Sequence, residues 1–462
     1  MERDVYAELV AWKRRPTRKP LLLTGARQVG KTWLMEEFGR REFASVVKLS
    51  FNEDDALEPL LFPDRNARAI IDRIAIHTER DIDPESTLLI FDEIQDAPNA
   101  LASLKSFAES APEFHVIAAG SLLGLAIHQD SSFPVGKVSF VDVHPLTFSE
   151  FLRATGRTRL DDLLATSDLT TPNTFAEQLT AALKSYHLVG GMPEAVAEFV
   201  AGGDYARVQR IQDEILRAYD LDVSKHSPPE LVPRIRKVLG SMPEQLAQEK
   251  KRFIYSRIEP GARSRSYEQA IQWLADAGIV TRVAHATRPL VPLGAYEDDA
   301  FKLFFVDIGL LARASNLAPR TVLEGSTIFT QFKDAMAEQF VLQEFLASQH
   351  AAPHYWSNER NTNEVDFLID VDNEIVPVEV KAEHNRQSKS LRAYVSRFAP
   401  EAAVRLSLAP PGHHEGILDL PLYAAGRVAD ILRDKHRATS CPSQQLVFSM
   451  TEPRREVIRR EA

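Results

Sequence analysis

The segment from Leu21 to Thr32, LLLTGARQVGKT, restricts the fold of this chain more than any other. An apolar run turns at Gly25, and Gly30, Lys31 and Thr32 follow at the spacing G-x-x-x-x-G-K-T, just before the helix-forming segment TWLMEEF. Strand, glycine-bearing loop and helix in that order build a cradle for polyphosphate. Glycines let backbone N–H groups curl around the anion, and the helix points its positive N-terminal end at the same charge. The candidate nucleotide-binding residues are therefore Gly25, Ala26, Arg27, Gln28, Val29, Gly30, Lys31 and Thr32. Lys31 is expected to reach the β- and γ-phosphates, and the Thr32 hydroxyl to be a Mg²⁺ ligand.

A second motif, TLLIFDEIQ over Thr87–Gln95, points the same way. Its apolar run suits a strand of a parallel sheet, buried on both faces. Asp92 falls at the carboxyl end of that strand, where α/β sheets place ligand-binding groups, and is expected to hold Mg²⁺ through water. Glu93 is the candidate for polarising the water that attacks the γ-phosphate. A third run, Phe114–Ala119, ends in Gly120 and Ser121. Ser121 suits a γ-phosphate sensor, and suits a plain strand-to-turn serine nearly as well.

Strands expected at Leu21–Thr24, Val46–Phe51, Leu88–Phe91, Val116–Ala119 and Lys137–Val143 alternate with helical patterns, which implies a parallel sheet covered on both faces. Beyond His144-Pro145 the pattern turns helical, starting at LTFSEFLRATG, with Arg157–Thr174 read as a loop. Pro193, after Gly190 and Gly191, suits the first turn of a helix. A length of 462 residues allows about three domains on the usual size range. The single cysteine, Cys441, excludes an intrachain disulfide and fits a cytoplasmic protein. No apolar run approaches a membrane span and the N-terminus lacks a signal-peptide core, so no membrane partner is expected.

The net charge of −10 does not suggest nucleic acid as a global partner, but charge acts locally. From Lys225 to Arg288, twelve Lys and Arg stand against six Asp and Glu. Inside this stretch SYEQAIQWLADAGIVTRVAHA has the order of a winged helix: a helix ended by Gly278, then a hairpin starting at Ile279–Val283. Arg263, Arg265 and Gln269 near the helix start suit phosphates or base edges of DNA. A module that packs only against protein fits equally well.

The C-terminal part holds another constellation. Gln331–Leu346 reads as an amphipathic helix with Glu338 in its middle. NEVDFLIDVDNEIVPVEVKA follows as two strands joined by a turn at Asp372-Asn373. Asp366 lies in the first strand; Glu379 and Lys381 share a face of the second by the two-residue period. Asp366 and Glu379 are candidate Mg²⁺ ligands, with Lys381 placed to orient a water and stabilise charge. An edge hairpin with an ordinary Glu–Lys pair shows the same spacing, and Asp370, Asp372 and Glu374 at the turn suit simple solubilising charges.

GARQVGKT, LLIFDEIQ, AAGSLLG, HPLTFSEF, GGMPEA and EVDFLID…VPVEVK together resemble a family of prokaryotic AAA-type ATPases related to the STAND branch, over nearly the whole chain. The resemblance implies an α/β architecture: a P-loop ATPase core (1–146), a helical lid (147–225), a winged-helix-like domain (226–320) and a restriction-endonuclease-like PD-(D/E)XK domain (321–462). It implies ATP as ligand with Asp92 and Glu93 as the acidic pair, and it matches Glu338, Asp366, Glu379 and Lys381 to the nuclease motif. No arginine finger is assigned; Arg27 only faces the right region. Two functions fit: an ATPase coupled to DNA binding or processing, and a nucleotide-gated switch for a protein partner with an inactive C-terminal scaffold.

Overall fold

Strands buried on both faces need almost continuous apolar sequence, and TLLIFD and HVIAA supply it. In the computed structural model they form β3 (Thr87–Asp92) and β4 (His115–Ala119), buried at every position. The structure describes residues 1–120, 124, 133–166, 169, 173–324, 330–349, 353–360, 362–384 and 388–440. With β1 (Leu21–Thr24), β2 (Ser45–Ser50) and β5 (Ser139–Asp142), these strands make one parallel sheet of order β2-β3-β4-β1-β5. Each expected strand of this part is present, Leu21–Thr24 with unchanged ends and the others with ends shifted by at most two residues.

Alternate residues of the sheet enter opposite cores. Leu21, Leu23, Leu88, Ile90 and Ile117 face one side, and Leu22, Leu89, Phe91, Val116 and Ala118 the other. Helix Lys31–Glu42 covers the first face with Leu34, Met35 and Phe38. Helices Ala67–Thr78 and Pro98–Ser110 cover the second with Ile70, Ile74, Leu101, Leu104 and Phe107.

The helical layer opens with a capping box, in which Thr147 and Glu150 each satisfy the other's backbone N–H at the start of Phe148–Ala154. The stretch 157–174, expected as a loop, instead contains helix Thr158–Leu164. Leu164 buries there and Asp161 pairs with Arg153 at 2.7 Å, so tertiary contacts override a polar, turn-rich composition. Helices Ala176–Val189, Pro193–Gly202, Tyr205–His226 and Val232–Leu246 complete the layer, with Pro193 in the first turn of its helix.

Helix Ser264–Asp276 leads into an antiparallel hairpin, β6 (Val280–Ala286) and β7 (Glu297–Phe305). This hairpin does not stand apart. Strand β6 runs beside β8 (His354–Ser357), and β9 (Glu364–Val371), β10 (Glu374–Val380), β11 (Val404–Ser407), β12 (Gly412–His414) and β13 (Ile417–Pro421) extend the layer. The result is one eight-stranded sheet of order β12-β13-β11-β10-β9-β8-β6-β7. The position 320/321, expected as a domain boundary, thus lies between strands of a single sheet, and one hydrophobic core runs from Leu9 to Leu432. Asp372 and Asn373 both take positive φ, 55° and 71°, the pairing of a two-residue hairpin turn.

Helix Thr330–Gln349 corrects another expectation. It is not amphipathic: Ala335, Met336, Phe340, Val341, Leu342 and Phe345 are buried, and so are Glu338, Gln339, Gln343 and Glu344. Among the described residues no helix is long and apolar enough to cross a membrane. Ser121 and Cys441 lie outside the described residues.

Gly191 joins the first helical layer to the rest. A Cβ there would stand 2.2 Å from the Leu146 carbonyl oxygen and 2.7 Å from its nitrogen. Gly191→Ala is expected to cost about 1–3 kcal/mol in urea denaturation through overpacking. Gly202→Ala, with nothing within 4 Å, is expected to change stability by less than about 1 kcal/mol.

Candidate functional site

The loop between β1 and helix Lys31–Glu42 follows from its glycines. Gly25 at φ 132° and Gly30 at φ 93° adopt conformations that side chains resist, and Gln28 also takes positive φ. A Cβ on Gly25 would lie 2.2 Å from the Val143 carbonyl oxygen, so the loop can enter this corner of the sheet only as glycine. Lys31 turns back into the loop and its Nζ donates to the Gly25 and Ala26 carbonyls at 2.8 and 2.7 Å. Burial lowers its pKa to about 8, with Glu93 and Asp92 pulling the other way. A buried ammonium held only by carbonyl dipoles is suited to receive an anion.

Thr32 Oγ1 donates to Asp92 Oδ1 at 3.1 Å, which brings a hydroxyl and a carboxylate from two elements to one point. Such oxygen donors fit a hard cation such as Mg²⁺. Burial raises the Asp92 pKa, while Lys48 Nζ, 3.4 Å from Oδ2, opposes the shift. Glu93 follows in the left-handed region at φ 51°, an uncommon conformation for a non-glycine residue that turns the chain sharply at the strand end. Gln95 Nε2 donates to Glu93 Oε2 at 2.8 Å.

The loop is gripped from outside by residues the motif does not contain. Arg27 pairs with Asp222 on helix Tyr205–His226, and Tyr219 of the same helix donates its hydroxyl to the Arg27 carbonyl at 3.0 Å. Arg27 is therefore engaged within the chain. Gly278, in the turn between helix Ser264–Asp276 and β6, sits so near that a Cβ would lie 3.2 Å from the Ala26 nitrogen. On the opposite side Arg3 donates from Nη1 to the Val29 carbonyl at 3.0 Å and from Nε to Glu150 at 3.2 Å.

The C-terminal candidates Glu338, Asp366, Glu379 and Lys381 do come together. The Val380 N–H donates to Asp366 Oδ2 at 2.8 Å, Lys381 pairs with Glu379 at 2.7 Å, and Glu338 approaches from its helix. What the sequence did not disclose is that two lysines from other elements fill the middle. Lys251 reaches Glu338 at 2.6 Å. Lys302, fully buried on β7, lies 2.6 Å from Glu364, 3.4 Å from Glu338 and 3.7 Å from Asp366. Burial opposes ionisation of Glu338, yet Lys251 and Lys302 overrule it and hold the carboxyl at about 2. Asp366 and Glu379 shift upward, chiefly through burial.

Three carboxylates around a point need positive charge, and here ammonium groups supply it. Lys302 lies 3.7 Å from Asp366 and Lys381 2.7 Å from Glu379, so ammonium groups stand beside both of the expected Mg²⁺ ligands. Among the described residues no group of three or more His, Cys, Asp or Glu is placed to hold a metal ion. No local pattern marks Lys251 and Lys302, because they lie some 30 to 130 positions from the acids in sequence. The one available signal was a lysine inside the otherwise apolar AFKLFF strand, a residue type that buries only with a partner.

Removing the Lys302 ammonium leaves buried carboxylates uncompensated. Lys302→Met is expected to lose about 3–5 kcal/mol in urea denaturation. A loss below about 1 kcal/mol would mean that the lysine does not balance the acids.

Residues 17–152 match a family model described as an AAA domain. Residues 180–321 and 333–415 match two models, each described as a domain of unknown function (DUF8612 and DUF4143). No curated protein sequence matches the chain. Among solved structures, a Walker-type ATPase of Pyrococcus abyssi is 16% identical over 68% of this chain and 95% of its own, with a TM-score of 0.43. The ORC1 protein of Aeropyrum pernix, solved in complex with DNA, is 13% identical over 68% and 90%, with a TM-score of 0.28. Cdc6p of Pyrobaculum aerophilum is 14% identical over 68% and 91%, with a TM-score of 0.23. At such scores these structures carry no functional argument. The AAA-domain match, the all-parallel sheet and the loop from Gly25 to Thr32 agree with one another: the N-terminal part of this chain is a P-loop ATPase domain.

Proposed function

We propose that this protein is a Mg²⁺-dependent, nucleotide-gated switch: it binds and hydrolyses ATP at the loop and passes the nucleotide state to the packed helical and C-terminal layers. The observation that carries this reading is the grip on the loop. Arg27 is tied to Asp222 and Tyr219, and Ala26 lies against Gly278. An anion in the cradle acts on Ala26 and Arg27 directly, so its arrival competes with contacts to helix Tyr205–His226 and to the turn before β6. Lys31 gives the phosphates a fixed positive charge, and Glu93 orients the attacking water. When bound, Mg²⁺ held by Thr32 and Asp92 neutralises charge on the β- and γ-phosphates. The C-terminal layer serves as a scaffold that displays a protein-binding surface, since Glu338 already faces Lys251 and Lys302, Asp366 faces Lys302, and Glu379 is paired with Lys381.

A specific observation also favours contact with DNA. Arg263, Arg265 and Gln269 are exposed around the start of helix Ser264–Asp276, and neither arginine has an ion-pair partner among the described residues. Other basic residues of this stretch are spent in pairs, Lys237 with Glu259 and Arg282 with Glu268. Two such guanidinium groups at a helix start suit phosphate contacts.

Lys31→Ala is expected to weaken nucleotide binding at least tenfold in calorimetric titration, whereas Glu93→Gln keeps affinity within about threefold and suppresses turnover. Equal loss of affinity in both variants would remove this division of roles. For DNA, affinity is expected to fall steeply between 50 and 200 mM salt. Changing Arg263 and Arg265 together to Glu is expected to abolish binding with ATP turnover intact; unchanged affinity by fluorescence anisotropy would dismiss this surface.

A further inference from the structure

Arg27 carries a charge that the nucleotide-binding motif does not require. It stands between Gly25 and Gly30, in the stretch whose backbone N–H groups surround the phosphates. Lys31, its pKa lowered chiefly by burial, also feels the Arg27 guanidinium as a like charge. Lys31 serves the β- and γ-phosphates, so Arg27 lies toward the same end of the triphosphate. Like charges brought this close oppose each other until an anion joins them. Two other cations near the loop are already committed. Arg3 is buried and donates to Glu150 at 3.2 Å, to the Val29 carbonyl at 3.0 Å and to the His144 carbonyl at 2.5 Å. Lys48 is shared by Glu36 at 2.7 Å and Asp92 at 3.4 Å.

Arg27 is held more loosely than either. Its side chain is 40% exposed, although Asp222 opposite it is only 7% exposed, and a pair open to water on one side is weak. A triphosphate carries more charge than one carboxylate and accepts a guanidinium through two oxygens at once, which makes it the stronger partner. Asp222 is not left alone by the exchange. Burial raises its pKa, and both Arg27 and His226, one helical turn further on, oppose that shift, so His226 still faces it when Arg27 moves. Asp96, a second carboxylate that feels Arg27, is exposed and also faces Lys225 and His226. The Arg27 backbone stays in place meanwhile, because its carbonyl accepts the Tyr219 hydroxyl at 3.0 Å.

We propose that ATP draws the Arg27 guanidinium from Asp222 onto the γ-phosphate, where Arg27 is a catalytic residue supplied by the loop itself. Asp222 is the positioning residue that holds it back until nucleotide arrives. The assignment rests on the ATPase reading above and names the cation that completes its site. The water oxygen bonds to the γ-phosphorus, and the bond to the β–γ bridging oxygen breaks, leaving its electron pair on ADP. The proton of the water passes by way of Glu93 to solvent. Arg27 forms no covalent bond in this step; its N–H groups donate to the phosphate oxygens where negative charge gathers.

The full-length protein is assayed for phosphate release over a range of ATP concentrations. Binding of ADP is measured with and without aluminium fluoride, which beside ADP imitates the phosphoryl group in transfer. Arg27→Ala is expected to lower kcat roughly a hundredfold or more, to keep ADP affinity within about twofold, and to lose the tightening by aluminium fluoride that wild type shows. Asp222→Asn is expected to act in the opposite direction and raise kcat/KM about threefold or more, because nothing holds Arg27 back. A clasp that only shapes the loop predicts the same direction for both. The double variant guards against a folding defect, since it leaves no buried carboxylate without its partner; it is expected to stay as slow as Arg27→Ala. Turnover by Arg27→Ala within about threefold of wild type, slower turnover by Asp222→Asn, or recovery of wild-type turnover in the double variant would each overturn the assignment and leave the ATPase reading standing. Wild-type turnover that is absent, or no greater than that of Lys31→Ala, would remove the ATPase reading and this assignment with it.

Discussion

The buried helix Thr330–Gln349 is the constraint on which the other layers depend. A helix sunk in a core offers apolar surface on every side, yet this one carries Glu338, Gln339, Gln343 and Glu344 inside the protein. Each satisfies a polar group of a different neighbour. Gln339 exchanges two hydrogen bonds with the Phe305 backbone, at 3.0 and 2.8 Å. Gln343 accepts the Ile308 N–H at 3.0 Å and donates to the Tyr186 hydroxyl at 2.7 Å. Glu344 accepts the Phe148 N–H at 2.7 Å at the mouth of the helical layer, where burial pushes its pKa up to about 8. Unmade hydrogen bonds in such a place cost more than made ones return, so these contacts specify one docking of the layers rather than merely adding stability.

A second junction sits beside it. Asp307, buried and raised by that burial to about 6, accepts N–H groups from Gly191 at 2.6 Å and Leu310 at 3.0 Å. The glycines at 190 and 191 leave room for its carboxyl and for the Leu146 carbonyl. The chain after the ATPase sheet is thereby bonded to the start of helix Ile308–Ala314, well beyond the nucleotide loop. Together with Arg27–Asp222 and Ala26–Gly278, this gives the phosphate loop a continuous packed route into the second sheet.

The acid–lysine cluster shows how the same residues can serve two chemistries. Glu338, Asp366, Glu379 and Lys381 hold the spacing of a metal site, and a divalent cation is one way to reconcile their charges. Lys251 and Lys302 are another, and they bring the benefit of ion pairs buried together with their hydrogen bonds. Which answer a protein adopts depends on strands far from the motif, because β7 must lie across from helix Thr330–Gln349 for Lys302 to reach it.

The nucleotide loop, the parallel strands and the hairpin at Asp372-Asn373 were legible from residue order alone. Their physics is local: glycines for positive φ, apolar runs for strands buried on both faces, a two-residue turn for an antiparallel return. The helix at Thr158–Leu164, the burial of Thr330–Gln349 and the joining of β6 to β8 were not legible, since long-range packing overrode composition in each. The same divide separates the candidate sites. Sequence by itself marked Gly25, Gly30, Lys31 and Thr32 as candidates for phosphate binding, because the positive φ of the two glycines is a local requirement of the turn. Only the tertiary structure decided which charges meet Glu338 and Asp366, and that Arg27 meets Asp222 and Tyr219, because a hydrogen bond or ion pair forms between atoms close in space however far apart they stand along the chain.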